Sequence, residues 1–531
     1  MYEPQTPPSP PLIYLINNPP PVYFRLSVGA GTAHNRHRAG SIPASLPMLS
    51  PVVNVIITLV IFLLFYRFSS KKQLNFSVFS YHSVSYIRYV LLLTPIVLIT
   101  YYLFVFYMQD TYLHPFLYQT TPAYLGPLHP STSFSEPVLY AFPYVFIFVF
   151  VTLISLVYCF CYNYNELLSF YTYINLIFIS GIVFFSTTSL VVFFLAYEGF
   201  LIPSFLILYN YAKTRKSVEA AFLMFFWTQF GALSLIFNFT YLFFLNSTWG
   251  MSAVTDVSIS PSELLFLQTT LFIGFGVKFP VWPFYEWLPK AHVEASTNFS
   301  IFLSGVLVKF AFFGFFKYLI IFGYDFNLSL LIPLLLVGLF DATLKVYYQV
   351  DLKKLVAYST VIEMHWLLIA LILGQSVLWV AVFSMLISHA IVSASFFFIV
   401  DMVTRRFKTR LISEVKSLFY TLPNLYLQAL YWNLVILGFP GTLLFVSELL
   451  FFTFLLDTSF SIFLTIFLTT YLLASSFFFK NWFLTLFNYS YVLVTKLKFQ
   501  TVDLEFKEFM ILQALLALIF YLGLSLQYFA F

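Results

Sequence analysis

Long, nearly uncharged apolar stretches recur along the chain from about residue 52 onward, and they decide what it can fold into. The chain has 531 residues, of which 61% are apolar and only 9% are charged. A soluble domain carries about 25% charged residues, so this chain has too few charged residues for the water-exposed surface of a soluble protein. Each bilayer span needs roughly 20 apolar residues, and the length allows more than a dozen of them. The sequence therefore predicts an all-α integral membrane protein.

We count about fourteen apolar spans. They lie near residues 53–67, 86–108, 139–162, 166–184, 187–209, 217–244, 263–288, 297–322, 327–348, 353–373, 376–401, 425–455, 459–479 and 508–530. Ahead of them, residues 1–51 hold 11 of the 26 prolines. Such a run cannot form a helix, so residues 1–51 are predicted to be an extended arm outside the bilayer.

The charges of the connecting loops alternate from one span to the next. Basic residues cluster in loops after odd-numbered spans, for example at Lys213, Arg405 and Lys498. Loops after even-numbered spans carry acids such as Asp110 and Asp256. The positive-inside rule places the basic loops in the matrix or cytoplasm, and both chain termini on the opposite side.

Among the ionisable side chains within the predicted spans five stand out, since an ionisable group at mid-membrane costs about 2.5–3.5 kcal/mol or more. They are Glu198, Lys278, Lys309, His389 and Glu448. Each one alone is compatible with a static ion pair, a snorkelling lysine or a hydrogen-bonded core histidine. Two acids, two lysines and a histidine at similar depth instead favour a relay of exchangeable protons.

Prolines interrupt two spans beside these charges. Pro280 and Pro283 follow Lys278 in the seventh span, and Pro440 precedes Glu448 in the twelfth. A proline removes a backbone donor and frees a carbonyl, and broken helices beside a charge mark ion sites in transporters. Because the two breaks correspond, spans 4–8 and 9–13 are predicted to be two five-helix repeats. The odd number of helices makes these repeats inverted relative to each other.

We expect no cofactor in this chain. Cys159 and Cys161 point about 200° apart on a helix, which disfavours a shared metal or a disulfide and favours two small apolar residues. The sequence has no Cys/His cluster, phosphate-binding loop or dinucleotide fingerprint. The richness in aromatic residues, with 71 Phe and 38 Tyr, fits the codon bias of an organellar genome better than interfacial anchoring alone.

Several runs in the chain resemble a known family. These are VKFP at 277–280, WLPKAHVEA at 287–295, LSGVLVK at 303–309, GFFK at 314–317 and DLKKLVAYS at 351–359. They resemble subunit 4 of mitochondrial NADH–ubiquinone oxidoreductase (complex I), one of three antiporter-like chains related to sodium/proton antiporters. The resemblance extends over about residues 140–480.

The resemblance implies a role for each buried charge. It implies that Glu198 and Lys278 form a coupling pair and that Lys309 is the central relay. His389 is then a bridge and Glu448 the terminal exchange site. On this interpretation the chain pumps protons across the mitochondrial inner membrane, and the alternative is a cation/proton antiporter subunit of the same fold.

The same resemblance implies the surroundings of the chain. Its expected partners are antiporter-like subunits 2 and 5 and the membrane lipids, with no nucleic acid. Flavin, iron–sulfur clusters and ubiquinone are expected on other subunits of the complex. The expected domains are an arm (1–51), N-terminal spans and a loop (52–138), the antiporter-like core (139–480), and a matrix loop with the last span (481–531).

The chain departs from the family at several positions, and these departures suggest a divergent protist mitochondrion such as that of a ciliate. Tyr285 stands where the family usually has histidine, and Ser296 stands where it has proline. In the tenth span Glu363 occupies the place of the family histidine, with His365 two residues further on. These two side chains point about 200° apart on a helix, so only one of them can line the relay. Because Glu363 occupies the matching position, the resemblance implies that Glu363 faces the relay and His365 a neighbouring helix or subunit. The alternative is that Glu363 only pairs with a nearby lysine.

Overall fold

The computed structural model describes Tyr144 and residues 147–156, 167–212, 214–251, 260–322, 331–373, 376–415, 417–457, 461–487 and 503–530. Within these residues the regular secondary structure is helical and contains no β-strand, which confirms the prediction of an all-α protein. The predicted arm at 1–51, the predicted spans before residue 139 and both cysteines lie outside the described residues.

The described residues form helices along the chain from Ile147 onward. In chain order they are α1 (Ile147–Leu156), α2 (Leu167–Ser186), α3 (Leu190–Gly199), α4 (Leu201–Asn210), α5 (Arg215–Asn246), α6 (Pro261–Lys278), α7 (Trp287–Glu294), α8 (Thr297–Phe302), α9 (Val308–Phe322), α10 (Ile332–Tyr347), α11 (Leu352–Leu373), α12 (Ser376–Phe407), α13 (Leu418–Thr421), α14 (Pro423–Ile436), α15 (Leu443–Asp457), α16 (Ser461–Phe487) and α17 (Phe506–Ala530).

Several of these helices have the length and apolar composition needed to cross a membrane. Among the described residues they are Leu190–Asn210, Arg215–Asn246, Thr297–Leu319, Leu352–Leu373, Val380–Phe407 and Phe506–Ser525. Shorter apolar helices occur at Ile147–Leu156, Phe170–Ser186 and Leu443–Leu456. The helices through Lys309, Glu363 and His389 are far more deeply buried than Phe506–Ser525, so the candidate site lies on central helices.

Local sequence sets where the long helices begin. At the start of α5, the Thr214 hydroxyl accepts from the Ser217 N–H, and the Ser217 hydroxyl accepts from the Thr214 N–H. At the start of α6, Pro261 occupies the first turn and the Glu263 carboxylate accepts from the Ser260 N–H at 2.8 Å. Such caps satisfy backbone donors that the first turn of a helix leaves free.

The seventh predicted span is interrupted directly after Lys278. Pro280 has no N–H, and the residue before a proline avoids helical geometry, so α6 ends and Phe279 is extended (φ −83°, ψ 104°). Two carbonyls at the end of α6 find new donors. The Gly276 carbonyl accepts from the Val281 N–H at 3.0 Å, and the Val277 carbonyl accepts from the Trp287 indole at 2.7 Å. Residues that directly follow the break therefore satisfy the carbonyls that it leaves free.

The twelfth predicted span is interrupted between α14 and α15. Gly438 (φ +75°) and Gly441 (φ +91°) adopt the left-handed conformation that glycine tolerates best, on either side of Pro440. The Thr442 hydroxyl then accepts from the Phe445 N–H at 3.3 Å as α15 begins. This break places Gly438 against the second turn of α15, where a Cβ atom would lie 3.0 Å from the Glu448 carboxylate.

Candidate functional site

Lys278 is the last residue of α6 and is buried, with 6% of its surface exposed. Its Nζ atom donates to the Tyr197 carbonyl oxygen at 3.0 Å and lies 3.6 Å from the centre of the Tyr197 ring. A backbone carbonyl and an aromatic face both stabilise an ammonium group in an apolar site. The helix break thus places a buried amine against the helix that carries Glu198.

Glu198 follows Tyr197 on α3, but its carboxylate bonds elsewhere. The Gln229 side-chain amide of α5 donates to Oε2 at 2.9 Å, while buried Oε1 has no hydrogen-bond partner in the described part of the chain. Among the described residues, Glu198 and Lys278 therefore make no direct ion pair with each other. The Glu198 carboxylate is held by the Gln229 amide, and the Lys278 amine is held by the carbonyl of Tyr197, the residue before Glu198.

Lys309 lies just after a π-helical turn, Leu303–Leu307, that joins α8 to α9. Its Nζ atom donates to the Ser304 carbonyl at 2.9 Å, and the side chain is 3% exposed. The Ser304 hydroxyl contacts the Ser393 hydroxyl at 3.2 Å, one turn after His389 on α12. Single π-turns inside helices frequently occur at functional sites. Ser304 thus holds the Lys309 amine through its carbonyl and contacts the helix of His389 through its hydroxyl.

His389 and Glu363 are in direct contact. The His389 Nδ1 atom lies 2.6 Å from Glu363 Oε2, and their side chains are 2% and 14% exposed. The second ring nitrogen of His389, Nε2, is buried and has no hydrogen-bond partner among the described residues. An imidazole can accept a proton at one ring nitrogen and donate one from the other. In His389, Nδ1 contacts Glu363, whereas Nε2 makes no hydrogen bond among the described residues.

Glu448 completes the row of buried groups. The Tyr471 hydroxyl of α16 donates to Glu448 Oε2 at 2.6 Å. A cavity of about 60 Å³ lies between α11, α15 and α16, and both Glu363 and Glu448 line it. One water molecule needs about 10–15 Å³ of such volume, so the cavity has room for several. Two carboxylates from different helices thus share one small space.

His365 faces away from this row, as its 200° offset from Glu363 predicts. Its Nε2 atom accepts from the Trp282 backbone N–H at 3.1 Å, and Nδ1 contacts the Val361 carbonyl at 2.8 Å. Glu363 contacts a histidine rather than a lysine in this structure. Of these two residues that depart from the family pattern, Glu363 is the one placed beside His389 and Glu448.

Several polar groups at the site were not predicted from the sequence. Asp341 and Lys345 of α10 form an ion pair at 2.9 Å and both contact the Tyr285 hydroxyl. Asp341 is also a charged residue inside a predicted span, so the criterion that selected Glu198 could have found it. Gln229 and Tyr471 carry no charge, so only their contacts reveal them. No group of three or more His, Cys, Asp or Glu residues within the described ranges is arranged to hold a metal ion.

A second cavity, of about 570 Å³, lies at the ends of α7, α11 and α12 that bear basic residues. Arg410 bonds Asp351 at 2.5 Å and lies 3.8 Å from Glu294 in its wall. Lys353 and Asp401 also line it. Lys353 donates to the Ala295 carbonyl at 2.5 Å, so its buried ammonium is held by backbone. Charges of both signs therefore surround this opening.

Comparisons with known sequences agree with this architecture. Residues 187–474 match the family described as NADH:quinone oxidoreductase/Mrp antiporter, transmembrane. A protein of Paramecium tetraurelia named NADH-ubiquinone oxidoreductase chain 4 is 34% identical over 322 residues, which cover 61% of this chain and 68% of that protein. The protein of the same name from Acanthamoeba castellanii is 33% identical over 288 residues, or 52% of this chain and 57% of its own length.

Solved structures share the fold. A chain of respiratory complex I from Thermus thermophilus with bound NADH has a TM-score of 0.62 at 19% identity, covering 74% of this chain and 82% of that one. A chain of the Mrp complex from Dietzia sp. has a TM-score of 0.59 at 17% identity, covering 66% of each. At these identities the likeness concerns the arrangement of helices.

Proposed function

Because the chain belongs to the NADH:quinone oxidoreductase/Mrp antiporter transmembrane family, we propose that it is a proton-translocating membrane-arm subunit of respiratory complex I. In this role it moves protons from the mitochondrial matrix to the intermembrane space. Other subunits, which carry flavin, iron–sulfur clusters and the ubiquinone site, oxidise NADH. The names of the Paramecium and Acanthamoeba relatives support this assignment.

The observation that carries the proposal is the contact of Glu363 with His389 on one side and its shared cavity with Glu448 on the other. An ionisable group inside a membrane is costly, and three of them on three neighbouring helices are not needed to hold a fold. His389 Nε2 has no hydrogen-bond partner in the described part of the chain, so this nitrogen is available to a second proton-transfer partner while Nδ1 contacts Glu363. This arrangement suits groups that gain and lose protons.

In this role each residue has a physical task. Lys278 carries a proton in an apolar pocket, and the nearby Glu198 carboxylate adjusts how tightly that proton is held. Lys309 is the central carrier, and the Ser304 and Ser393 hydroxyls can pass a proton because each donates and accepts.

The proton then reaches the second half of the chain. His389 takes it at Nε2 and exchanges it with Glu363 through Nδ1. Water in the shared cavity carries it to Glu448, which the Tyr471 hydroxyl orients. Each step moves only a proton along this chain's own residues. No redox group is needed in the chain itself.

The proposed membrane arrangement has fourteen spans in the mitochondrial inner membrane, with spans 4–8 and 9–13 as inverted repeats. The interruptions after Lys278 and between α14 and α15 support this correspondence, since each lies beside a buried charge. Antiporter-like subunits 2 and 5 are the neighbours of the chain along the membrane arm.

A cation/proton antiporter subunit is the second candidate, and the fold likeness to the Mrp complex favours it. The two functions differ in what the chain assembles with. Purification of the chain from native membranes in mild detergent tests them. We expect a large assembly that contains flavin and iron–sulfur clusters and oxidises NADH. Recovery in a small complex that has no NADH oxidation but exchanges cations for protons would contradict the proposal.

A further inference from the structure

The helix-break segment, residues 279–286 between α6 and α7, is held by polar groups of α10 and α11 that take no part in the proposed relay. The first contact comes from His365 of α11, which is fully buried. Its Nε2 atom accepts the Trp282 N–H at 3.1 Å, and Nδ1 donates to the Val361 carbonyl at 2.8 Å. The Trp282 N–H lies beyond the end of α6 and has no acceptor in that helix, and His365 supplies one.

The second contact comes from α10. The Tyr285 hydroxyl donates to the Asp341 carboxylate and accepts from Lys345 Nζ at 2.7 Å. Asp341 and Lys345 lie one turn apart and bond each other at 2.9 Å. Tyr285 is 1% exposed, and its hydroxyl contacts both members of this ion pair. The segment is thus anchored near both its middle and its end.

A glycine makes this close approach possible. At Gly338 on α10, an added Cβ atom would lie 2.3 Å from His365 Nε2 and 2.5 Å from Trp282 Cβ. Any larger residue would push α10 away from the hydrogen bond between Trp282 and His365. The three elements therefore meet at one point.

α11 connects this point to the relay. Glu363 and His365 are two residues apart and lie on opposite faces of the helix, one against His389 and the other against the break. Building on the proposed function, we propose that His365 and the Tyr285–Asp341–Lys345 contact are positioning groups. They couple the helix break after Lys278 to the contact between Glu363 and His389.

The physical basis is the stiffness of a packed interior. When Lys278 loses or regains its proton, its bond to the Tyr197 carbonyl changes, and the end of α6 shifts with it. The break segment continues α6 directly, so its two anchors pass the shift to α10 and α11. A displacement of α11 changes the 2.6 Å distance between Glu363 Oε2 and His389 Nδ1. A longer distance slows proton transfer between the two groups, and a shorter one favours it.

The test replaces His365 in the full chain within the assembled complex, in sealed vesicles, and measures protons translocated per NADH oxidised. His365→Leu removes the acceptor, whereas His365→Gln keeps one in its amide oxygen. We expect His365→Leu to lower the ratio by about twofold to thirtyfold, the range by which residues between two sites change their coupling. His365→Gln should restore most of it. An unchanged ratio in His365→Leu, or an equal loss in both variants, would overturn the proposal.

A second variant covers the case in which His365→Leu does not assemble. Tyr285→Phe removes only the hydroxyl and leaves the Asp341–Lys345 ion pair in place. Tyr358→Phe is the matched control, because it removes the same hydroxyl from a neighbouring tyrosine whose ring lies 6.4 Å from that of Tyr285. We expect a lower ratio in Tyr285→Phe and an unchanged ratio in Tyr358→Phe. Equal ratios in the two variants would overturn the proposal.

One further variant separates this inference from the function on which it rests. Lys278→Met removes a relay group and leaves both anchors of the break in place. If Lys278→Met pumps normally, the relay itself is wrong. If Lys278→Met stops pumping while His365→Leu and Tyr285→Phe pump normally, the relay stands and the coupling role of the anchors is wrong.

Discussion

His389 Nδ1 and Glu363 Oε2 lie 2.6 Å apart between α12 and α11, with one of the histidine nitrogens in this contact and the other without a hydrogen-bond partner among the described residues. The carboxylate of Glu363 also lines the cavity that contains Glu448. Glu363 thus links His389 to the cavity that Glu448 also lines.

Glu363→Gln should lower proton translocation by about tenfold or more, because a positioned proton-transfer group contributes roughly 10²–10⁴-fold to a transfer rate. The amide keeps the size and still bonds His389, but it cannot carry a proton. The measurement is protons translocated per NADH oxidised in sealed vesicles. Glu219→Gln is the control, since Glu219 is exposed and pairs with Arg215 at 3.0 Å. An equal ratio in the two variants would reject the role of Glu363.

Glu448→Gln should impair pumping more than assembly, because the cavity then ends on an amide that does not exchange protons. Tyr471→Phe should show a smaller loss, since Glu448 keeps its carboxylate but loses the 2.6 Å hydrogen bond that orients it. Tyr521→Phe, at a ring that is 70% exposed on α17, is the control. The amount of assembled complex is measured on native gels beside the pumping rate. Normal pumping in Glu448→Gln with full assembly is the result that excludes it as an exchange site.

Gly438→Ala should destabilise the protein by about 1 kcal/mol or more, because alanine at positive φ is strained. Its Cβ atom would also lie 2.9 Å from the Tyr471 hydroxyl and 3.0 Å from the Glu448 carboxylate. Gly276→Ala is the control, since a Cβ atom there meets Val281 at an ordinary 3.8 Å within a helix. Thermal unfolding in detergent gives the comparison. A midpoint for Gly438→Ala that is no lower than that for Gly276→Ala would contradict the close packing at this break.

The topology prediction places Lys213, Arg405 and Lys498 on the matrix side and Asp110 and Asp256 in the intermembrane space. It rests on the alternation of loop charge, and of these residues only Arg405 lies within the described ranges. Cysteine variants at each position, labelled by an impermeant reagent in oriented vesicles, give the measurement. Labelling of both groups from the same side would show that the span order is wrong.

The sequence predicted the features that depend on local chemistry. Pro280 ends α6 because it lacks a donor and restricts Phe279, and neither effect needs the rest of the fold. The opposite directions of Glu363 and His365 follow from helix geometry alone. The choice of Glu363 as the one that faces His389 came from the resemblance, because Glu363 occupies the position of the family histidine.

Contacts between distant residues were not predictable in the same way. Glu198 bonds Gln229 of α5 instead of forming an ion pair with Lys278, because the packing of α3 against α5 brings the amide within reach. The acceptor that Trp282 needs could have come from any neighbouring helix. The fold shows that His365 is this acceptor, at the point where Gly338 lets α10 approach both Trp282 and His365.

If this chain moves protons through buried carriers, loss of the Lys278 amine should stop that movement. The measurement is protons translocated per NADH oxidised by the assembled complex in sealed vesicles, for Lys278→Met against the unchanged chain. Lys216→Met, at an exposed lysine on α5, is the matched control. We predict that Lys278→Met assembles and loses most of its translocation, while Lys216→Met retains it. Full translocation by an assembled Lys278→Met complex would show that the buried Lys278 amine carries no proton.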